Sequence, residues 1–368
     1  MRILLQIPLS SFSGYGQDGI GMARTLIRMG MDVYLNPTGV QAPLPADVAA
    51  LLTKSVQAPF DLILCHVDPA GLHSTPEIKA ATDMLVGWTM WEYDSLSNCP
   101  GRSKFRKEWK NFDAMVGYDQ VSSDCLRDYY SGPVITQQGG FLPEDWPVAE
   151  RDWDDPRFFF CQIGVLTERK DPFVSIQAFS ELRNENADFA QFARLSLKTT
   201  VPGLHSKMED VYPGLRIFYD SWPQALVKEF YRNNHVLLAP SRGEGKNMPA
   251  LEFLSTGGTV IATNWGGHRE WLHPDYSYAL DYTLASVSES FPNVHNARAS
   301  VEHMKSLMLH AFTHRDEVRH MGEIGSQVIP AMCSWEAVLT KLFEKLGETP
   351  KGRSLTAKIA VARAEAAR

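Results

Sequence analysis

The chain has 368 residues, of which 44% are hydrophobic and 21% charged, which suits two domains of about 150 to 180 residues, each able to bury a sizeable core. Lys and Arg number 36 against 43 Asp and Glu, and the net charge of −7 argues against a surface built throughout for nucleic acid or anionic lipid. Five scattered cysteines, Cys65, Cys99, Cys125, Cys161 and Cys333, form no CxxC pair, which speaks against a disulfide framework or structural zinc and for a reducing cytoplasm. The opening Met1-Arg2-Ile3-Leu4-Leu5-Gln6-Ile7-Pro8 is interrupted too early for a signal peptide, and no apolar run approaches the length of a membrane span.

In chain order, short apolar runs alternate with amphipathic segments, the pattern of an α/β fold with a mostly parallel sheet. Strands are expected at Arg2 to Ile7, Asp32 to Leu35, Leu62 to Cys65, Met84 to Trp88, Ala114 to Gly117 and Val134 to Gln137. Helices are expected at Gly19 to Met29, Pro45 to Thr53 and Ser122 to Tyr130. Residues Gly139 to Pro156 then carry three prolines and many acids with no periodicity, and read as an interdomain linker. A second series follows with strands at Phe158 to Ile163, Leu215 to Tyr219, Val236 to Ala239 and Thr259 to Thr263, and helices at Ser300 to Phe312 and about Ser334 to Leu346. The basic, Ala-rich tail from Gly347 to Arg368 reads as partly disordered. The division is therefore 1–148, 149–333 and a C-terminal helix with tail at 334–368, with a ligand cleft expected between two Rossmann-like domains.

Gly14-Tyr15-Gly16-Gln17-Asp18-Gly19 is a literal GxGxxG between a strand and a helix. A dinucleotide site would also need an acid at the end of the second strand, and that strand ends Tyr34-Leu35-Asn36. The motif therefore reads better as a flexible loop whose amides face the cleft than as an NAD fingerprint. An NAD-dependent oxidoreductase is the less favoured alternative.

The chemistry concentrates in Ala239-Pro240-Ser241-Arg242-Gly243-Glu244-Gly245-Lys246-Asn247-Met248-Pro249-Ala250-Leu251-Glu252. A strand ends at Ala239, a loop carries Glu244, and Pro249 marks a helix start, with Glu252 expected in its first turn. Two carboxylates then flank a helix N-terminus whose open amides, around Asn247 and Met248, suit an anion. Carboxylates accept hydrogen bonds from sugar hydroxyls, and amides donate to phosphate, so the pairing points to a phosphorylated sugar or a nucleotide. Taken singly, Glu252 reads rather as a carboxylate complementing a helix dipole, and Glu244 as a solvated loop acid; together with the neighbouring motifs the balance inverts.

This stretch resembles the E-x(7)-E motif of the family-4 retaining glycosyltransferases of GT-B fold. The likeness extends to Gly258-Thr259-Val260-Ile261-Ala262-Thr263 and Gly266-Gly267-His268-Arg269-Glu270. It extends also to the turn Ile163-Gly164-Val165-Leu166-Thr167-Glu168-Arg169-Lys170 and to Ser13-Gly14-Tyr15-Gly16. The resemblance implies a metal-independent transfer from a UDP- or GDP-hexose to a hydroxyl acceptor with retention, the nucleotide-sugar being a cosubstrate rather than a resident cofactor. It implies that Glu244 contacts the donor sugar, Glu252 the ribose, and that Arg169 and Lys170 neutralise the diphosphate. Asn247 and Met248 would add backbone amides, and Gly14 and Gly16 would let the first domain approach the phosphates. Where that family commonly has arginine after the glycine, this chain has Val165, and Arg169 or Lys246 is the substitute at hand. A nucleotide-sugar epimerase of the same architecture is the nearest alternative.

The first domain is expected to serve the acceptor, which the sequence leaves open among protein, glycan, lipid and a modified DNA base. Glu92, just past the Met84 to Trp88 strand, stands where many relatives have a histidine and is assigned to orienting the acceptor hydroxyl or to stabilising positive charge on the sugar ring. A buried acid satisfied by backbone is the equal alternative. His66 reads rather as a hydrogen-bonded structural histidine. Arg102, Lys104, Arg106, Lys107 and Lys110 run beside Phe105, Trp109 and Phe112 at helical spacing. They form a solvated cationic face or, on the sharper reading, a weak contact for an anionic partner, which would place a cytoplasmic enzyme at the membrane periphery.

Overall fold

A computed structural model describes residues 1–10, 13–41, 43–200, 208 and 211–366. The chain divides into two compact units. One comprises Met1–Leu142, Val287–Val294 and Met332–Arg368, the other Pro143–Ser286 and His295–Ala331.

The first unit is built on a six-stranded parallel sheet in the order β3-β1-β5-β6-β7-β8. Its strands are β1 (Arg2–Gln6), β3 (Asp32–Leu35), β5 (Phe60–His66), β6 (Thr82–Thr89), β7 (Ala114–Gly117) and β8 (Val134–Thr136), and a short parallel pair, β2 (Leu9–Ser10) with β4 (Val40–Gln41), lies beside it. The sheet is covered on both faces, so its strands read as near-continuous apolar runs whose alternate residues enter different cores. Ile3, Leu5, Val86 and Trp88 pack into one cluster, and Leu4, Ile63 and Leu85 into the other. The first cluster is completed by the Trp335–Gly347 helix, which contributes Trp335, Val338, Leu339, Leu342, Phe343 and Leu346. Trp335 meets Trp88 edge-on at 5.8 Å.

The second unit repeats the plan. Its six-stranded sheet, in the order β11-β10-β9-β12-β13-β14, consists of β9 (Phe158–Ile163), β10 (Ala193–Thr199), β11 (Leu215–Tyr219), β12 (Val236–Ala239), β13 (Thr259–Thr263) and β14 (Ser277–Leu280). A two-stranded ribbon, β15 (Tyr282–Ser288) with β16 (Phe291–Ala299), follows it. In each large sheet the chain builds outward on one side of the first strand and then returns to its other side. The reversals fall between β1 and β5 and between β9 and β12. Loops leaving the carboxyl ends of those neighbours diverge there and leave room for a ligand.

Two strands of the second sheet went unread in the sequence. β10 shows its buried alternation plainly in Ala193, Leu195 and Leu197, whereas β14 is too short and mixed for its period to stand out. Three expectations are corrected. The GxGxxG segment is not a flexible loop: the helix runs Gly14–Arg28, opened by Ser13, whose Oγ accepts the Gly16 amide at 3.2 Å. Ser11 and Phe12, within the stretch that precedes it, lie outside the described residues. The tail is helical over Arg353–Ala366, because Leu355, Ile359 and Ala362 recur at helical spacing and join the first unit's core. The stripe of Phe105, Trp109 and Phe112 does not lie on a full amphipathic helix: the helical turn Phe105–Glu108 holds only the first of the three, and Trp109 and Phe112 follow it. All three rings are buried, with Phe105 stacked on Trp109 at 4.3 Å. No helix among the described residues is long and apolar enough to cross a membrane.

Candidate active site

In the second unit the reversal point gathers two loops. Leaving β9, the chain turns through Gly164, whose φ of 145° suits only glycine, into a short 3-10 turn, Glu168–Lys170. Leaving β12, it passes Ser241 to Lys246 before the Met248–Ser255 helix. The two loops are bonded through the backbone, Arg242 N–H donating to Arg169 C=O at 2.8 Å.

Their side chains meet at Glu244. Its Oε1 lies 2.5 Å from the Lys170 ammonium and 3.2 Å from the Arg169 guanidinium, which also donates to the Gly243 carbonyl at 2.6 Å. Glu244 is 5% exposed. Burial by itself would raise its carboxyl, but Lys170 and Arg169, with His268 beyond them, outweigh that and hold it at about 2. The site is thus an ionised carboxylate clamped between two cations.

A glycine loop closes over Glu244 from β13. Gly267 N–H donates to the Glu244 carbonyl at 2.9 Å. A Cβ at Gly267 would stand 1.8 Å from the Gly245 carbonyl oxygen, so the approach is open to glycine alone. His268, fully buried, donates from Nδ1 to the Thr263 carbonyl at 2.9 Å and accepts from Asn247 Nδ2 at 3.0 Å. Burial pushes its imidazole down to about 4, which keeps it neutral and able to accept. Asn247 caps the helix in the left-handed region at φ 60°, a conformation asparagine tolerates better than most residues. Met248 stands first in the helix, so its amide has no intrahelical acceptor.

Glu252 is displaced from its expected place. It lies beyond the first turn, which holds no acid, and is half-buried. Its Oε2 accepts the Tyr231 hydroxyl at 2.9 Å. Burial pushes the carboxyl up to about 7, against the Tyr231 hydrogen bond and the Lys246 charge that pull it down. The two glutamates of one motif therefore sit in opposite electrostatic conditions.

Several participants carried no sequence assignment. His268 was visible only as part of a glycine-rich string. Tyr231 lies 21 residues before Glu252, with no periodic link to it. Lys198, delivered by the unread strand β10, is 7% exposed, its ammonium 5.5 Å from the Trp222 ring centroid. Its carbonyl accepts the Gly164 amide at 3.1 Å.

In the first unit, Gly14 has open space where a Cβ would stand, whereas a Cβ at Gly16 would come within 2.4 Å of the Ser10 backbone. The first glycine is thus available to a ligand and the second is required by packing. His66 is fully buried, with Nδ1 at 3.0 Å from the Trp88 carbonyl and Nε2 at 2.9 Å from the Tyr118 hydroxyl, which donates to Asp18 at 2.6 Å. Glu92 is half-buried in the bend after β6, and its charge reaches Tyr15 of the glycine segment. Arg102, Lys104, Arg106, Lys107 and Lys110 are all exposed.

Two parallel, doubly covered sheets with switch-point loops define a GT-B protein, and solved structures of that fold match along nearly the whole chain. The alpha,alpha-trehalose 6-phosphate synthase of Burkholderia multivorans gives a TM-score of 0.66 at 12% identity, covering 98% of this chain and 98% of that one. The sucrose-phosphate synthase of Thermosynechococcus elongatus gives 0.64 at 12% identity, over 94% and 99%. An Anabaena protein solved with UDP and glucose gives 0.60 at 10% identity, over 94% and 99%. At these identities the likeness speaks for the fold. A comparison with curated proteins gives no match. Residues 157–291 match the family of glycosyl transferases group 1. That stretch holds both loops of the site, Glu168–Lys170 and residues 241–246, within a fold that matches the GT-B glycosyltransferase structures.

Proposed function

We propose that the enzyme transfers a hexose from a UDP- or GDP-sugar to an acceptor hydroxyl, with retention of anomeric configuration and without a metal. The observation that carries this is the buried Glu244 carboxylate paired with Lys170 and Arg169 at the β9/β12 reversal. A diphosphate entering here competes with Glu244 for the two cations. As its charge takes over the pairing, the carboxylate is freed to accept hydrogen bonds from the sugar hydroxyls. Lys170 and Arg169, with the amides of Asn247 and Met248, then stabilise the charge that grows on the leaving diphosphate. The nearly buried Lys246 supplements them where Val165 offers no cation. Glu252, held by Tyr231, accepts from the ribose hydroxyls.

In the transfer, the bond between the anomeric carbon and the β-phosphate oxygen breaks. The acceptor oxygen bonds to the same face, and its proton passes to the departing phosphate, with no covalent enzyme intermediate. In the first unit, Glu92 orients the acceptor hydroxyl, and the glycine segment offers its backbone at Gly14 to a phosphate, with Gly16 keeping that segment close-packed. The exposed cations from Arg102 to Lys110 suit an anionic partner. The Anabaena structure solved with UDP and glucose supports a uridine donor as the first to test.

The test is a calorimetric and thermal-shift screen with chelator present, using UDP, GDP, ADP and their sugars, with NAD and NADP as controls. One nucleoside diphosphate should bind, and Glu252→Ala should lose it. Binding to a nicotinamide nucleotide alone overturns the reading. Conversion of the sugar nucleotide without an acceptor would assign an epimerase instead.

A further inference from the structure

We infer that Arg242 and Asp171 form a clasp that positions the cationic turn against Glu244, and that donor affinity depends on it; the inference rests on the donor site proposed above. Arg242 touches neither Glu244 nor, in the proposed arrangement, the substrate. Its Nε donates to Asp171 Oδ2 at 2.7 Å and its Nη1 to Glu168 Oε1 at 2.5 Å, so its two arms grip both ends of the Glu168–Lys170 turn. The backbone joins the same elements, through the Arg242 amide to the Arg169 carbonyl at 2.8 Å and the Arg242 carbonyl to the Ala297 amide at 2.9 Å.

The local conformation bears the mark of this role. Asp171 is 5% exposed and sits at φ 43°, a left-handed conformation disfavoured for a residue with a Cβ and usually filled by glycine. Its carboxylate supplies what glycine lacks, a buried charged acceptor for the guanidinium. Burial lowers the guanidinium's proton affinity, but the Asp171 and Glu168 contacts outweigh it, so Arg242 stays charged. Arg169 and Lys170 are the two residues between the clasped ends. Their long side chains reach Glu244 from this turn, and fixing the turn restricts where their charges fall. Lysine at 242 would keep the charge and lose the planar fork that reaches two carboxylates at once.

The experiment compares wild type with Asp171→Asn, Arg242→Gln and Arg242→Lys by UDP titration calorimetry, with GDP as a second probe. Thermal melting and hydrogen exchange at the Arg242 amide are followed in parallel. Asp171→Asn keeps a side chain that tolerates the left-handed region and removes only the charge. The expected result is a dissociation constant weakened by about ten- to a hundredfold in Asp171→Asn and Arg242→Gln, with full binding stoichiometry. Arg242→Lys should fall between these and wild type, and exchange at the Arg242 amide should quicken. A merely structural role would lower the melting temperature and the stoichiometry while leaving the dissociation constant of the folded fraction unchanged, and that outcome overturns the clasp. Wild type binding neither nucleotide would defeat the donor reading. The clasp is then decided by exchange at the Arg242 amide, unchanged protection in Asp171→Asn refuting it.

Discussion

The Glu244 carboxylate lies 2.5 Å from the Lys170 ammonium, and the two side chains are only 6% and 13% exposed. An ion pair so withdrawn from water is stable only while both members are present, because either one alone leaves a desolvated charge. Lys170→Met should therefore destabilise the fold by up to about 3 kcal/mol, the remaining Arg169 contact softening a loss that reaches 3–5 kcal/mol for fully broken pairs. Urea unfolding measures it. Nucleoside diphosphate binding should be lost in the same variant, since the proposed diphosphate site uses the same cation.

Acid should undo this site in a defined window. Glu244 titrates at about 2 in the fold against an ordinary value of 4.5, so its stabilisation is present above 4.5 and lost as pH falls toward 2. His268 is lowered from 6.5 to about 4, and the unfolded chain binds its proton first, so stability falls between pH 6.5 and 4 as well. Between pH 6.5 and 4.5 the His268 loss is opposed by the gain from protonating Glu252, so unfolding free energy should drop most steeply below pH 4.5, and Glu244→Gln should flatten that part. An unchanged slope in that variant would mean that Glu244 is not held ionised by its partners.

Glu252 has the opposite sign. Its carboxyl is raised from 4.5 to about 7, so the fold loses stability as pH rises between those values. Donor affinity should move the other way, rising from pH 6 to 8 as Glu252, the proposed acceptor for the ribose hydroxyls, ionises. Tyr231→Phe removes a hydrogen bond to the charged form and should shift the midpoint upward. Calorimetry across this range checks both, and Glu252→Gln should abolish the dependence.

Glycine substitutions separate packing from ligand approach. Gly14→Ala meets nothing and, at the first helical position, should leave stability unchanged or improve it by about 0.4–1 kcal/mol. Gly16→Ala collides with the Ser10 backbone and Gly267→Ala with the Gly245 carbonyl, and each should cost about 1–3 kcal/mol or more. Thermal melts rank the three. Loss of ligand binding in Gly14→Ala with an unchanged melt would locate a ligand at that backbone.

Glu92→Ala should lower turnover by at least about a hundredfold, the scale of a positioned acid–base or orienting group, while leaving nucleotide affinity within about twofold. Equal losses in steady-state turnover and in calorimetric affinity would remove Glu92 from the acceptor side.

Strand identity was legible because a buried parallel strand must be apolar on both faces. Asp32–Leu35, Ala114–Gly117, Phe158–Ile163, Leu215–Tyr219, Val236–Ala239 and Thr259–Thr263 fall at the residues read from the sequence. The motif Glu244 to Glu252 was legible because its spacing and its proline are local. The helicity of the glycine segment was hidden, since glycine is a poor helix former and only the close approach of Gly16 and Gly19 to Ser10 and Pro8 makes it favourable there. The tail was misread for a similar reason: a short Ala-rich helix is marginal alone and is held by the core it joins.

By itself, then, the sequence determined the alternation of elements, the two sheets and the loops that carry charge, because periodicity and turn chemistry act over a few residues. The tertiary structure alone decided that Lys170 and Arg169 meet a glutamate 74 and 75 residues further along the chain, and that Arg242 grips Asp171 across 71 residues. It also decided that two glutamates eight positions apart titrate near 2 and near 7. Ionisation depends on burial and on which charges stand within a few ångströms, and both follow from the order in which β9 and β12 are laid side by side.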